Sequence, residues 1–461
     1  MLDKELLLKI LKKTISYGGE YAEIFVEYKK PLSIHLEDRK IEKVITGVDY
    51  GLGIRLIYNS RTAYAYSNNL SEESLLQAAS EVSRAASGKV TDSIIDLRTK
   101  TPSVSFDIKL FPENIPIEKK ISIVRKADTV AKGYDQRIRQ VSIRYGDFIQ
   151  KVQIATTDDG TIAEDERVHT LMVIQVIAAD NGIIQTGYES IGGFIGFELF
   201  NEINIDELSL KTAKRAIMML TARRAPGGRM PVVISSEAGG TMIHEAIGHG
   251  LEADLAQQGL SVYSKKMGQQ VASPLITVID DPTLHKKRGS FRFDDEGIPS
   301  RQNVLVEKGI LKSYMYDKLT AIKDGVEPTG NGRRESYQHR PIPRMTNTLI
   351  VPGETSPAEI INSVEYGLLV KKMGGGQVNT ITGDFVFEVQ EGYLINKGKA
   401  EEPVRGATLA GNGPEVLKSI DMVGSDLGFA IGTCGKDSQG VPVSDAMPTV
   451  RIPEMVVGGK V

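Results

Sequence analysis

Two histidines and a glutamate lie close together in the stretch Met242–Leu255, and their spacing restricts how this stretch can fold. Apolar residues around them recur at the interval expected for one side of a helix. His244 and His249 are five positions apart, however, and on a regular α-helix five positions turn a side chain about 140° away. Both imidazole rings can face one point only if the helix contains a wider, π-type turn, which we expect at Ala246–Gly248. Gly248 should tolerate that distortion.

This grouping indicates a metal site with its own general base. Imidazole nitrogens are common zinc ligands, and a neighbouring carboxylate can take a proton from the attacking water and pass it to the leaving amine. Glu245 suits that role, since it follows His244 directly. The chain has six histidines in 461 residues, so chance is a poor explanation for two of them beside a glutamate. A pair of structural histidines on a helix is the alternative.

The stretch does not by itself fix a third metal ligand. A hydrolytic zinc site needs three protein ligands and one open position. Glu252 and Asp254 are close in sequence to the histidines, whereas Cys434 lies far along the chain between glycines. A thiolate is a good zinc ligand, but a lone cysteine can also be a small buried hydrophobic residue. From the residues alone, all three candidates stay open.

The composition is that of a globular protein and excludes several functional classes. Hydrophobic residues make up 41% of the chain, charged residues 25%, and the net charge is −3. A net charge of −3 gives the protein no overall positive potential that would attract nucleic acid or anionic lipid. The longest apolar run, Leu171–Ala179, is too short to span a membrane, and the first residues lack the pattern of a secretory signal. The single cysteine indicates a reducing compartment, so we expect a cytoplasmic protein. From the charge and the short apolar runs, we expect no membrane partner and no direct nucleic-acid partner.

The hydrophobic pattern predicts an α+β protein with two domains. The N-terminal domain, 1–222, should consist of antiparallel strands flanked by helices. The C-terminal domain, 228–461, should be β-rich and carry the metal-binding helix. Pro and Gly residues mark the segment Arg223–Pro231 as the linker between them. In the first domain the order helix, strands, helix occurs twice, with helices predicted at 3–17, 71–86, 117–132 and 205–221.

Local signals refine this outline. Gly88 should end the second helix, and Asp158–Gly160 and Asp180–Gly182 should form tight hairpin turns. Ser236 should cap the histidine helix. The C-terminal domain is predicted to contain strands at Leu275–Asp281, Asn303–Val306, Leu311–Tyr316, Asn347–Val351, Phe385–Ile395 and Thr449–Val457, and short helices at 317–324, 357–365 and 414–420.

The loop Thr329–Arg340 is basic and contains two glycines. Its arginines could bind a peptide carboxylate or carbonyl groups. A solvated surface loop is the favoured interpretation of such a composition. The remaining histidines have no metal-ligand spacing to a neighbour and are expected to be structural; they are His35, His169, His285 and His339.

Several motifs, in one order, resemble the TldD/PmbA family of metallopeptidases, historically called modulators of DNA gyrase. The match is close to the TldD branch. It spans about 240 to 436, and the similarity is weaker in the N-terminal half. The motifs are His244–Glu252, Asp294–Pro299, Pro328–Ser336, Pro343–Asn347, Gly374–Val378 and Cys434–Lys436.

The resemblance implies a zinc-dependent peptidase in which His244, His249 and Cys434 hold Zn²⁺ and Glu245 is the catalytic base. It also implies an enclosed active site that admits short or unfolded peptides. The expected assembly is a homodimer, or a heterodimer with a related subunit that lacks the histidine motif and is inactive. Two other functions stay open: a deformylase-like hydrolase of small amides, and a non-catalytic interaction subunit.

Overall fold

The computed structural model describes residues 1–86, 97–158 and 160–459, and it confirms the α+β prediction. Gly88 and Asp159, which belong to a predicted helix end and a predicted turn, lie outside the described residues. No helix in the described ranges is long and apolar enough to cross a membrane. The helices are α1 (Lys4–Thr14), α2 (Glu72–Ser83), α3 (Ile117–Gly133), α4 (Leu199–Glu202), α5 (Ile205–Thr221), α6 (Thr241–Ile243), α7 (Ala253–Gln257), α8 (Lys318–Asp324), α9 (Pro357–Asn362) and α10 (Gly413–Ser419).

The strands form three larger sheets and one short pair within the described residues. They are β1 (Tyr21–Glu37), β2 (Lys40–Thr46), β3 (Asp49–Tyr58), β4 (Arg61–Ser67), β5 (Arg98–Thr99), β6 (Ile138–Thr156), β7 (Thr161–Asp180), β8 (Ile183–Gly193), β9 (Arg223–Arg224), β10 (Gly228–Ile234), β11 (Val278–Asp280), β12 (Asn303–Glu307), β13 (Ile310–Leu311), β14 (Gly332–Arg333), β15 (Ile342–Pro343), β16 (Asn347–Ile350), β17 (Tyr366–Val378), β18 (Asp384–Asn396), β19 (Lys399–Arg405), β20 (Thr408–Asn412), β21 (Met422–Val423), β22 (Gly428–Lys436), β23 (Gln439–Met447) and β24 (Val450–Gly458).

The N-terminal strands build one sheet in the order β4-β3-β1-β6-β7-β5, with β2 beside β1 and β8 beside β7. The two helix–strands–helix groups are joined where β1 pairs antiparallel with β6. Side chains alternate between the faces of a strand, and one face is apolar and covered by helices. Ile24 and Val26 of β1 pack with Leu7 of α1, whereas α3 and α5 cover β6 to β8. The predicted turn at Asp180–Gly182 is confirmed as the link from β7 to β8.

The opposite face of this sheet is charged and packs against the C-terminal half. Arg55 of β3 contacts carboxylates of Glu23, Glu296 and Asp317, and Arg334 also pairs with Glu23. All five side chains are buried. We call them the ionic layer. Because it joins residues from β1 and β3 to loops of the C-terminal half, it fixes how the sheet sits on the rest of the chain.

The C-terminal half contains a barrel and a six-stranded sheet. Strands β17, β10, β24, β20 and β18 close into the barrel because β18 pairs with both β20 and β17. The second sheet has the order β13-β12-β11-β16-β23-β22, so β22 lies at its edge. The histidine segment shares one hydrophobic core with the barrel, in which Ile243, Ile247 and Leu251 pack with Val370 and Phe387.

Three local predictions differ from the structure. Arg223–Pro231 is wrong as a free linker, because β9 pairs with β19 and β10 starts at Gly228, so the segment is part of the barrel sheet. The predicted strand Leu311–Tyr316 is limited to β13. Ser235, rather than Ser236, caps the 3₁₀ turn before α6 by accepting the Glu237 amide. The domain division 1–222 and 228–461 remains our proposal.

Candidate metal centre

The wide turn that the spacing requires is a π turn over His244–Gly248. The amide of His249 donates to the carbonyl of His244, five residues earlier. Helix α6 precedes this turn, and a 3₁₀ turn at His249–Leu251 follows it. The two imidazole rings are thereby brought together, with centroids 4.8 Å apart and planes nearly perpendicular at 87°.

Packing holds this turn in place. The Tyr263 hydroxyl donates a 2.9 Å hydrogen bond to the Ala246 carbonyl within the turn. Gly248 has ordinary helical angles, with φ −53°. A Cβ atom on Gly248 would lie only 2.2 Å from the Met345 sulfur. Glycine is therefore needed here for close packing, and not for an unusual backbone conformation.

Cys434 meets the two histidines from the edge strand β22. Candidate ligand atoms of His244, His249 and Cys434 all lie within 4.8 Å of one another. The Cys434 sulfur is 3.6 Å from Nε2 of His249. The cysteine is buried, at 2% exposure, and a buried Arg344 guanidinium donates to its carbonyl oxygen. The three residues that were predicted as metal ligands are thus neighbours in space.

Two carboxylates orient the imidazole rings. Asp445 of β23 is hydrogen-bonded to Nδ1 of His244 at 2.8 Å, and Glu252 to Nδ1 of His249 at 3.0 Å. This leaves Nε2 of each ring for the centre. Carboxylates in this position fix the tautomer and orientation of metal-ligating histidines. Sequence reasoning missed Asp445, which lies 201 residues from His244 and is marked by no local pattern.

Glu252 and Asp254, the alternative third ligands, do not belong to the cluster of ligand atoms. Glu252 is fully buried between His249 and Lys436, whose Nζ lies 3.2 Å away. Asp254 pairs with the same lysine at 2.6 Å. Both carboxylates are therefore engaged with neighbouring side chains, and this arrangement favours Cys434.

Family models match the chain over three consecutive segments. Their descriptions are PmbA/TldA metallopeptidase domain 1 at 22–86, central domain at 111–220 and C-terminal domain at 227–459. The metalloprotease TldD homolog of Haemophilus influenzae is 38% identical, over 99% of this chain and 97% of its own length. The chain belongs to the PmbA/TldD metallopeptidase family. The resemblance noted in the motifs is confirmed, and so is the enzyme class that it implied.

Another curated relative and a solved structure extend the comparison. The zinc metalloprotease TldD homolog of Saccharolobus solfataricus is 29% identical, over 99% of this chain and 100% of its own. Among solved structures, TldE from Thermococcus kodakarensis superposes with a TM-score of 0.77 at 18% identity, covering 98% of this chain and 100% of that one. That likeness shows a shared fold.

The electrostatics of the centre in this PmbA/TldD metallopeptidase favour a positive charge. Burial would lower the pKa of His249, but Glu252 and Cys434 outweigh it and raise that pKa to about 10. Asp445 and Cys434 likewise hold the pKa of His244 well above its usual value, against burial. Burial would raise the pKa of the Cys434 thiol, but hydrogen bonds from both histidines lower it to about 6. A divalent cation suits such surroundings, and nitrogen and sulfur donors suit zinc.

Glu245 lines the same cavity as the three candidate ligands. The cavity has a volume of about 520 Å³ and is wide open. Glu245 is half-buried and forms no ion pair or hydrogen bond within the described part of the chain. Its carboxylate is therefore available. The other lining residues come from α7, from the end of β17 and the segment after it, and from β22; they include Leu255, Gln377, Val378, Thr380 and Thr433.

The interpretation of Thr329–Arg340 as a solvated surface loop is wrong for its first part, whereas Glu335, Gln338 and Arg340 are exposed. Asn331, Arg333 and Arg334 are buried. Asn331 donates to Asp280, and Arg334 pairs with Glu23 across the interface. This part of the loop is buried because carboxylates and carbonyls satisfy most of its polar groups.

Proposed function

We propose that this protein is a zinc-dependent peptidase, with His244, His249 and Cys434 as metal ligands and Glu245 as the general base. The observation that carries the proposal is the approach of three nitrogen and sulfur ligand atoms to within 4.8 Å, beside a free carboxylate in one open cavity. This donor set suits Zn²⁺ and leaves room for a fourth position. The name of the Saccharolobus relative, a zinc metalloprotease, supports the same metal.

The chain's own groups have distinct parts in the proposed reaction. Zinc, when bound, polarises the scissile carbonyl and acidifies water. Asp445 and Glu252 hold Nδ1 of the two histidines, so that Nε2 of each ring stays directed at the centre. Glu245 accepts a proton from the attacking water and returns it to the leaving amine nitrogen.

The free edge of β22 supports short or unfolded peptides as substrates. Within the described residues, this strand pairs only with β23, and it carries Cys434. The hairpin turn at Asp437 and Ser438 has positive φ at both residues, and its closing pair is Lys436 and Gln439. In such a hairpin every second residue directs its backbone N–H and C=O groups away from the partner strand. On β22 these residues are Thr433 and Gly435. An extended peptide can add to that edge, whereas a folded segment cannot.

We further propose a homodimer, or a heterodimer with a related inactive subunit. Val386 and Val456 are 52% and 38% exposed, and they align across Ala410 on the outer face of the barrel. A partner that covers this apolar row would remove it from water. The fold shared with TldE supports a partner of the same architecture. A cytoplasmic location suits the thiol of Cys434, which a reducing compartment keeps available.

Metal analysis and peptide hydrolysis test the site together. Glu245→Gln should retain zinc and lower the hydrolysis of unstructured peptides by about 100- to 10,000-fold, the usual contribution of a general base. Glu415→Gln, on the exposed side of α10, is the matched control and should behave as wild type. Cys434→Ala should lose most of its zinc. Wild-type hydrolysis by Glu245→Gln would reject the base, and a full zinc content in Cys434→Ala would reject the third ligand.

Product masses separate the proposed peptidase from its rivals. A mixed library of short peptides should yield internal fragments. Release of small acyl groups, with the peptides otherwise intact, would indicate a deformylase-like amide hydrolase. Absence of both bound zinc and hydrolysis in freshly purified protein would favour a non-catalytic interaction subunit.

A further inference from the structure

A second cavity lies between the charged face of the N-terminal sheet and the C-terminal half. Its volume is about 170 Å³. Thr433 and Pro442, a cross-strand pair of the β22–β23 hairpin, line it. Cys434 and Val441, the next pair, point into the core on the other face of the hairpin. Thr433 also lines the cavity of the candidate metal centre, so both cavities border the edge of β22.

Two buried guanidinium groups in this cavity have no carboxylate partner. Arg288 donates from Nε to the Gly432 carbonyl at 3.1 Å, and Arg333 donates to the carbonyls of Met345 and Pro442 at 2.6 and 2.8 Å. No carboxylate oxygen within the described ranges forms an ion pair with either one. Burial lowers the pKa of each to about 10. Both remain charged at neutral pH. Asp295 and Asp280 favour the charge of Arg333 without forming an ion pair with it, and a buried charge without an ion-pair partner is costly.

The other charged groups around the cavity are already matched. Arg167 pairs with Asp165 and Asp295, and Arg334 pairs with Glu23. The second Asp295 oxygen accepts the Arg334 amide. A further lining carboxylate, Glu335, is exposed and accepts the Gly440 amide, so the buried excess of positive charge belongs to Arg288 and Arg333.

His169 adds an unpartnered polar group to the same wall. Its ring is 3% exposed and stacks between Phe148 and Phe194, with centroid distances of 4.6 and 5.4 Å. Its Nδ1 atom is buried without a hydrogen-bond partner. Burial, together with the nearby arginines, holds the pKa of His169 well below its usual value, so the ring is neutral. Lys29, half-buried, lies at the cavity with its Nζ 5.0 Å from the Phe148 ring.

We propose that this cavity binds an oxyanion, and that its occupant during peptide cleavage is the C-terminal carboxylate of a peptide lying along β22. The second part rests on the proposed peptidase function. Guanidinium groups bind carboxylates by short, charge-assisted hydrogen bonds, and a carboxylate between Arg288 and Arg333 supplies the missing counter-charge. Because Thr433 borders both cavities, one extended peptide along β22 would pass beside both. The enzyme is then selective for peptides with a free C-terminus near the cleaved bond.

Binding measured without turnover tests this site. Calorimetry on the zinc-loaded full chain with Glu245→Gln compares one peptide as the free acid, the same peptide as the C-terminal amide, and sodium sulfate. The free acid should bind about 10- to 100-fold more tightly than the amide, the usual effect of losing charge-assisted hydrogen bonds. Arg288→Gln or Arg333→Gln should remove that difference, whereas Arg139→Gln, an exposed arginine of β6, should not.

The outcomes separate the ligand sources. Equal affinity for acid and amide, with sulfate still bound, would overturn the peptide carboxylate and leave an inorganic anion. No effect of the arginine variants on acid, amide or sulfate would overturn the site. Hydrolysis by the wild-type enzyme is scored separately, so failure of the peptidase function and failure of this site give different results.

A variant at Lys29 separates the loss of charge from damage to the fold. Arg288 and Arg333 also bind backbone carbonyls, two of them in the β22–β23 hairpin, and their loss could distort that hairpin. Lys29→Gln breaks no hydrogen bond or ion pair of the described residues and should still weaken acid binding several-fold through charge alone. Unchanged zinc content and melting temperature in Lys29→Gln, with acid preference also unchanged, would count against the proposal.

Discussion

The ionic layer and the candidate metal centre are both buried clusters of charged groups. They differ in whether the charged groups find their partners within the chain. In the ionic layer, the Arg55 guanidinium contacts three carboxylates that all come from the chain itself. At the metal centre, an acidic thiol and two carboxylates surround two imidazole rings, and the pKa of both rings is raised. In the first cluster every charged group pairs with another residue of the chain, whereas the second attracts a cation.

This difference assigns the two clusters different tasks. The ionic layer holds the N-terminal sheet on the C-terminal half, and its contribution to stability should not depend on any ligand. The metal centre holds β22 to the histidine segment, so its contribution should depend on the bound ion. Variants of each cluster, with zinc present or absent, can separate these tasks.

The largest expected effect is that of breaking the ionic layer. Arg55→Met leaves Glu296 and Asp317 without their cation and Glu23 with Arg334 alone, which should lower the free energy of unfolding by about 3 to 5 kcal/mol. Urea unfolding followed by circular dichroism measures this change. Arg61→Met, at an exposed position at the start of β4, is the matched control. A loss below about 1 kcal/mol in Arg55→Met would mean that the layer contributes little.

Zinc should stabilise the metal centre by mass action. At a free zinc concentration about 100 times the dissociation constant, the folded state gains about 2.7 kcal/mol. Thermal unfolding with zinc and with a chelator measures this gain. Cys434→Ala should lose it, while Arg55→Met should retain it because the ionic layer is a separate cluster. The distinction fails if zinc stabilises Cys434→Ala as much as the wild type.

Local spacing explains what the sequence could predict of the metal centre. His244, Glu245 and His249 lie in one short segment, so helix geometry alone required the π turn. Cys434 was one of three candidates on its chemistry, and only the family motifs selected it, because no local pattern links it to the histidines. Asp445 could not be predicted, since pairing of β16 with β23 brings it beside His244.

The charged face of the N-terminal sheet was hidden from sequence reasoning for another reason. Along β1, Glu23 and Glu27 alternate with apolar side chains, a pattern that is typical of a strand with one face in water. Arg334 similarly suggested an exposed loop. Glu23 is buried against Arg334, and Glu27 accepts the Tyr337 amide; these partners lie more than 300 positions away in sequence, which no local window can reveal.

Removing one carboxylate that orients a ligand should weaken metal binding without breaking the fold. Asp445→Asn can keep a hydrogen bond to Nδ1 of His244 but loses the negative charge, so zinc affinity should fall about 10- to 100-fold. Competition with a chromophoric chelator measures the dissociation constant. Asp421→Asn, an exposed partner of Arg451, is the control. Equal zinc affinities for Asp445→Asn and wild type would exclude Asp445 from the support of the metal.

The smallest expected effect comes from packing at the π turn and does not involve charged groups. Gly248→Ala places a methyl group against the Met345 sulfur, which can shift only partly, so the free energy of unfolding should fall by about 1 kcal/mol. In a Met345→Ala background the same substitution should cost nothing, because the space is then free and the backbone is already helical. A double-mutant cycle with urea unfolding measures this coupling. An equal cost in both backgrounds would show that Gly248 serves the backbone of the turn instead of its packing.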